Sequence, residues 1–555
     1  MHIRKTSRWQ APDFASLFAV TSMAAVTLTT LATADAATPK GKPKPRRGGK
    51  VIVALNLESP SLNPYLGTGN APVSNQILAS AYHVVGKEGR SVPDLIVGDP
   101  KITTTPFSLT YTIKKKARWS DGTPITARDF VFTWQVLARS TFKIPDETRE
   151  QYEPIAHAKT LGPKRVRFVF RKPVLEWKDL FAPVLPQHAL TDEDFDKVWR
   201  DQIDNPKTGR PISSGPFIFE SWSRGSRLTL ARNDEYWGKK AHLDRLVFRF
   251  LLPDFGAQIR AVRAGEVDLI AGVAGVPVSD LRNSPGISVL PGLTNVWEHI
   301  DFQFGAKGDP ALKKPFVRQA IAHAIDRRSL TSQLFREIAP GLKTGQSAVY
   351  LPFQRGYRPH WNLWTYSPQN TIRLLRSHDC RTGSDGIFSC QGRRLSFRFA
   401  STAGSVLRER TFDLIEPELR RVGIDLVKAF SPRQLFFDTL LPQGDWDLAL
   451  FAWFYGLDPA GVGLENIWGC KGSNNVTGYC NHKVTTLLRT ASAQRKASLR
   501  ARLLNRADTL MARNLPTLPL FVRPGYVIYN SRIRNVKWNP IDALWNAQDW
   551  WIAPR

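Results

Sequence analysis

The chain has 555 residues, more than one ordinary hydrophobic core organises, and 42% of them are hydrophobic and 11% aromatic. Two or more packed domains are expected, and a largely disordered chain is excluded. Lys and Arg outnumber Asp and Glu by 77 to 48, a formal charge of +29 with a pI near 10.2, which raises the question of nucleic acid. Outside Thr38 to Lys50 and Lys114 to Arg118, however, the basic residues are scattered and form no unbroken run longer than a pair, with no zinc-finger spacing and no aromatic-basic RNA-binding signature. That pattern argues against a nucleic-acid partner and for attraction to anionic cell-surface polymers.

Met1 to Ala36 sets Arg4, Lys5 and Arg8 before an apolar stretch from Phe14 to Leu31 and ends on Ala34-Asp35-Ala36, the layout of a secretory signal. An uncleaved anchor is the competing reading, because Ala15 to Ala32 approaches the shortest length that crosses a bilayer. No Cys precedes Cys380, which excludes a lipid anchor on an acylated Cys at the cleavage point. Residues 37–49 are rich in Pro, Gly and Lys/Arg with nothing apolar after Ala37, so a flexible linker is expected there. The mature protein is expected outside the cytoplasm, periplasmic or at the cell surface.

Lys50 to Leu57 reads as an opening strand and Ser59 to Tyr65 as the turn after it, which sets Asn63 and Tyr65 at a strand end. Phe107 to Ile113 alternates as a strand. Thr126 is a good N-cap for a helix whose apolar face is Ala127, Phe130, Val131, Trp134 and Leu137. Arg260 to Asp268 predicts a short helix stopped at Gly265, then a strand from Leu269 to Val273. Leu312 to Leu330 predicts one amphipathic helix carrying Val317, Ala320, Ile321, Ala324 and Ile325. Strands and helices alternate throughout, which implies an α/β fold.

The four cysteines form two pairs, Cys380 with Cys390 and Cys470 with Cys480, each closing a short polar loop. In an exported protein such pairs read as disulfides, each worth roughly 2–3 kcal/mol on the chain-entropy model. Zinc, with His378 and His482 nearby, is the alternative, but neither pair has the close spacing of structural zinc ligands.

Asp445 to Pro459 (DWDLALFAWFYGLDP) has a short apolar run bounded by acids and by Gly456, which suits a buried strand. Trp453, Phe454 and Tyr455, with Asp458 just beyond, would bring large rigid surfaces and one negative charge to a strand end, where α/β sheets bind ligands. An ordinary core strand with a turn is the plain alternative. No Gly-x-Ser-x-Gly elbow, phosphate-binding loop, His-Glu-x-x-His or complete dinucleotide fingerprint occurs. No enzyme activity and no cofactor are therefore expected; a secreted hydrolase whose site is assembled only by the fold is the runner-up.

A resemblance runs through the chain. Arg118 to Trp134 (RWSDGTPITARDFVFTW), Leu62-Asn63-Pro64, Ser214 to Phe217, Arg232 to Gly238, Val317 to Arg327 and Leu515 to Phe521 resemble, in order, motifs of the family 5 extracellular solute-binding proteins. That resemblance implies a two-lobed, periplasmic-binding-protein-like (Venus flytrap) α/β fold. Lobe 1 would comprise residues 50–66, 190–296 and 516–555, with an added subdomain at 67–189, and lobe 2 residues 297–515. The crossings would lie near Asn295 to His299 and Asn514 to Pro516. It also implies a peptide or other small-molecule ligand closed between the lobes, an ABC permease as partner, and a monomer.

In the family, the segment matching Asp445 to Pro459 supplies a Trp and an Asp that hold the peptide and its amine. Trp453 matches the Trp. Tyr455 and Gly456 stand where the Asp is expected, and Leu450 where some members carry Arg, which leaves blocked or cyclic peptides, sugars and metal chelates open. The expected pocket is Trp453, Phe454, Tyr455 and Asp458, facing Asn63 and Tyr65, with Asn295 and Trp297 at the crossing. An aromatic pocket with one acid would favour neutral or cationic peptides.

Overall fold

The computed structural model describes residues 44–555 except 56, 67–70, 252–254, 274–280, 282–283, 338, 457–461 and 555. The leader, most of the linker and Asp458 lie outside the described residues. The end of the linker is already part of the fold: Gly48 N donates to His242 O at 2.8 Å and Gly49 N to the Asp244 carboxylate at 3.0 Å.

The organising element is a ten-stranded mixed sheet. Its strands are β1 (Lys50–Leu55), β2 (Phe217–Ser223), β3 (Arg227–Arg232), β4 (Arg245–Phe250), β5 (Leu269–Val273), β6 (Ile287–Phe302), β7 (Ser396–Thr402), β8 (Asp425–Ser431), β9 (Leu448–Phe454) and β10 (Thr517–Asn530). They lie in the order β2-β3-β4-β1-β5-β10-β6-β9-β7-β8. β1 runs parallel to β4 and β5, and β7 parallel to β8 and β9, while β6 and β10 are antiparallel to their neighbours. Parallel strands need buried faces, and the chain supplies them as apolar runs such as Leu448 to Phe451, all buried.

Among the described residues β6 and β10 are the only strands of this sheet longer than seven residues, at 16 and 14, and at about 3.3 Å per residue β6 is about 50 Å long. Their pairing is interrupted between Leu293 and Trp297, opposite Val522 to Pro524. Just before the break Gly292 faces Gly525, and the Trp538 indole covers both. A Cβ at Gly292 would stand 2.2 Å from Trp538 Cε2, and one at Gly525 2.5 Å from its Cη2. Only glycine fits beneath that ring. Trp538 Nε1 donates to Leu293 O at 3.0 Å, which fixes the indole in place.

Two large apolar clusters flank this pair of strands. One holds residues from β1, β4 and most of 62–248, and the other is built mainly from 297–528. Within the first, Lys101–Thr104, Phe107–Thr112, Arg165–Phe170 and Ile155–Thr160 form a separate four-stranded antiparallel sheet. The helix Ala127–Arg139 (α1) starts as its sequence suggests. Thr126 accepts from Arg128 N at 3.2 Å, and the Asp129 carboxylate accepts from Thr126 N at 2.7 Å, a capping box.

The single helix expected from Leu312 to Leu330 is a 3-10 turn and two helices, Pro315–Ala324 (α2) and Arg327–Phe335 (α3). Asp326 breaks the run because its carboxylate caps α3, accepting from Arg328 N and Ser329 N at 3.1 and 2.9 Å. Both disulfides are formed, with Cα–Cα separations of 4.2 Å, and among the described residues no cysteine is free. No helix of the described residues is long and apolar enough to cross a membrane.

Candidate ligand-binding site

The site begins where β9 ends. Trp453 pairs with Trp297, and Phe451 with His299, and because side chains alternate along a strand these four share one face. The His299 ring lies 4.4 Å from Trp297 and 4.5 Å from Phe451, and its plane is within 4° of Trp453's at 6.4 Å. His299 Nε2 approaches Asp301 Oδ1 at 3.4 Å with both side chains buried. No hydrogen bond reaches either His299 ring nitrogen or the Trp453 indole N–H.

Tyr455 turns inward instead. Its hydroxyl donates to Ala348 O at 2.6 Å, and burial pushes the phenol well above its usual range. Its backbone is clasped by Asn295: Tyr455 N donates to Asn295 O at 3.0 Å, and Asn295 Nδ2 donates to Tyr455 O at 3.1 Å. Trp297, 5.4 Å from the Tyr455 ring, is 2% exposed and acts as packing. Phe454 points out, 72% exposed. At Gly456 the strand end is tied down by Gln354, whose Nε2 donates to the Gly456 carbonyl at 2.9 Å.

A charge cluster crosses the same strands. Glu298, 1% exposed on β6, accepts from Arg523 on β10 and, at 3.4 Å, from Arg408, in the first turn of the helix Val406–Arg421 (α4). Arg408 Nη1 also donates to Thr402 Oγ1 at 2.8 Å. Burial pushes the Glu298 carboxyl up, but Arg408 and Arg523 more than offset this and hold it below the ordinary carboxylate value. Burial also pulls the Arg408 guanidinium down, against the pull of Glu298.

A hollow of about 860 Å³ reaches β6 at Leu290 to Leu293 and is lined among others by Phe353, Trp538, Trp545, Lys87 and Lys537. That volume lies within the usual range for small-molecule sites. Both tryptophans spend their N–H groups on the protein, Trp538 on Leu293 O and Trp545 on Lys537 O, so they offer a ligand ring surface only.

Of the residues singled out in sequence, the structure brings Trp453, Tyr455, Asn295 and Trp297 together, with Phe454 at their solvent side. Asn63 and Tyr65 are committed to the other cluster. Asn63 accepts from Tyr65 N at 3.0 Å and donates to Phe195 O at 3.2 Å, and Tyr65 donates to Pro183 O at 2.5 Å. Glu298, Arg408 and Arg523 went unnoticed because 110 and 225 residues separate Glu298 from its partners. The available signal was an acid in the interior of a long strand.

The model of the bacterial extracellular solute-binding proteins, family 5, matches residues 91–475, well over half of the chain. The chain belongs to this family: it is an extracytoplasmic solute-binding protein with the family's two-lobed α/β fold, and not an enzyme. Oligopeptide-binding protein AppA of Bacillus subtilis is 22% identical over 533 residues, covering 93% of each chain. Oligopeptide-binding protein OppA of Mycobacterium bovis is 25% identical over 88% of this chain and 82% of its own. Among solved structures, the periplasmic EDTA-binding protein EppA superimposes with a TM-score of 0.79 at 23% identity, covering 92% of this chain and 98% of its own.

Proposed function

We propose that the protein captures peptides outside the cytoplasm and hands them to the membrane permease of an ABC importer. The observation that carries this reading is similarity along nearly the whole length of both chains to oligopeptide-binding AppA. The geometry supports it. Trp453 brings a large flat ring whose indole N–H has no partner in the protein, and Phe353, Trp538 and Trp545 line a hollow that reaches β6 at Leu293. A peptide supplies both apolar side chains and backbone groups for such a surface.

In this reading residues 50–66, 190–296 and 516–555 form lobe 1, residues 67–189 its subdomain and residues 297–515 lobe 2. The lobes swing about β6 and β10, and the pairing break between Leu293 and Trp297 absorbs the change in backbone angles. The leader, residues 1–36, directs export and the protein works as a monomer without nucleic acid. Trp453, Phe454, Tyr455, Asp458, Asn295 and Trp297 belong to the binding face or its support. Asn63 and Tyr65 brace the subdomain.

Mass spectrometry of what co-purifies with the exported protein, followed by calorimetry with that compound, tests the function. A peptide with micromolar or tighter affinity is expected; a non-peptide ligand in every preparation would sink the reading. X-ray scattering with and without that ligand should show compaction, and an unchanged profile would refute closure of the lobes.

A further inference from the structure

The two disulfides differ in exposure. Cys380 and Cys390 are only 5% and 6% exposed, whereas Cys480 is exposed and Cys470 half-buried. Thiol–disulfide exchange needs a sulfur that an incoming thiolate can reach, so the second pair is open to it and the first is not.

The surroundings also distinguish the two sulfurs of the exposed pair. Cys480 stands two residues before the helix His482–Ala493 (α5), and the ligand atoms of Cys470, Cys480 and His482 lie within 4.8 Å of one another. Cys470 Sγ is 3.3 Å from the Thr485 hydroxyl and 4.0 Å from His482 Nδ1. Thr485 Oγ1 also lies 3.1 Å from Asn481 O. Its single proton can serve that carbonyl while the disulfide is closed and turn to the sulfur when Cys470 becomes a thiolate, a much stronger acceptor. His482 also lines a hollow of about 600 Å³ with Lys483 and Arg506, two cations that attract an incoming anion such as a thiolate.

The loop has other bonds to keep it closed. Asn475 Nδ2 donates to Gly469 O at 2.8 Å and to Tyr479 O at 2.7 Å, the residues just before each cysteine. Gln303 Nε2 donates to Val476 O at 3.1 Å, and Phe304 N to Thr477 O at 2.7 Å, which pins the loop to the chain just past β6. An opened pair is therefore held ready to reclose.

We propose that Cys470–Cys480 is a thiol–disulfide exchange site for small thiols outside the cytoplasm, with Cys480 the sulfur attacked and Cys470 the leaving thiolate, held by Thr485 and His482. The incoming thiolate bonds to Cys480 Sγ as the S–S bond breaks, and the electron pair of that bond leaves on Cys470. A second thiolate then attacks the small thiol's sulfur in the mixed disulfide and frees Cys480. Two small thiols thus become one disulfide, and their protons end on the two cysteines. The site stands apart from the ligand pocket and does not rest on the peptide reading.

The test treats the folded, exported protein with reduced glutathione, blocks free thiols with iodoacetamide at timed intervals and locates each adduct by peptide mass spectrometry. Cys470 should be alkylated while Cys480 carries glutathione, and Cys380–Cys390 should open at least about tenfold more slowly. Thr485→Val should slow opening of the exposed pair severalfold without changing the buried one, and Thr485→Ser, which keeps the hydroxyl, should restore the parent rate. Transfer into oxidised glutathione should reclose the pair. Glutathione found on Cys470, equal rates at the two pairs, or a Thr485→Val rate equal to the parent's overturns the proposal. The adduct map of the parent decides even where a variant does not fold.

Discussion

The turn at Asn63 to Tyr65 and the strand end at Trp453 are both aromatic and polar, both lie at the end of a strand, and they differ in how their polar groups are used. At Asn63 the side-chain oxygen and nitrogen meet backbone partners on Tyr65 and Phe195, and the Tyr65 hydroxyl meets Pro183. At Trp453 the indole N–H and both nitrogens of the neighbouring His299 are buried without hydrogen bonds, as are Glu298 Oε2 and the Nε atoms of Arg408 and Arg523 across the strands. Buried polar groups are normally paired. The Asn63 set is fully spent on the protein, whereas the Trp453 set keeps polar groups unspent.

The sharpest way to break this contrast is Asn63→Leu. It should destabilise the fold by about 3 kcal/mol, because it removes bonds to Tyr65 N and Phe195 O and strands both groups. The folded fraction should bind ligand as tightly as the parent. Urea titration reads the first effect and calorimetry the second, and weakened binding would return Asn63 to the pocket. Trp453→Phe should do the reverse, costing about tenfold in affinity, or about 1.4 kcal/mol, with a smaller change in stability, since it keeps a ring and deletes the N–H. An affinity equal to the parent's would mean that the indole N–H meets no ligand.

Acid should also separate the regions. Glu298 has a carboxyl held below its ordinary value in the folded protein, so its contribution is present above the unfolded value near about 4.3 and lost as pH falls through the folded one. Stability measured across that window should fall more steeply in the parent than in Glu298→Gln. Identical slopes would show that the carboxylate is not held by the two arginines. The smallest effect is expected at Phe454, 72% exposed: Phe454→Ser should change stability by no more than about 0.5 kcal/mol. Any loss of affinity there would be read as direct ligand contact.

Local patterns carried much of the fold. The capping box at Thr126 and Asp129, the strand Leu448–Phe454 and the paired cysteines all follow from residues no more than ten positions apart, where propensity, capping and loop closure act. The single helix read from Leu312 to Leu330 failed on the same scale, because apolar periodicity outweighed the capping carboxylate of Asp326. The ordered motifs likewise made the family legible, since each is a contiguous segment.

By itself, then, the sequence determined the elements, the disulfide loops, the class of protein and the aromatic strand end. The tertiary structure alone decided which polar residues are spent and which are spare. Glu298 reads in sequence as one more acid, and Arg408 and Arg523 as two of 77 basic residues. They pair only where β6, β10 and α4 meet and exclude water. Charge matters by distance and burial, and neither is encoded in spacing along the chain.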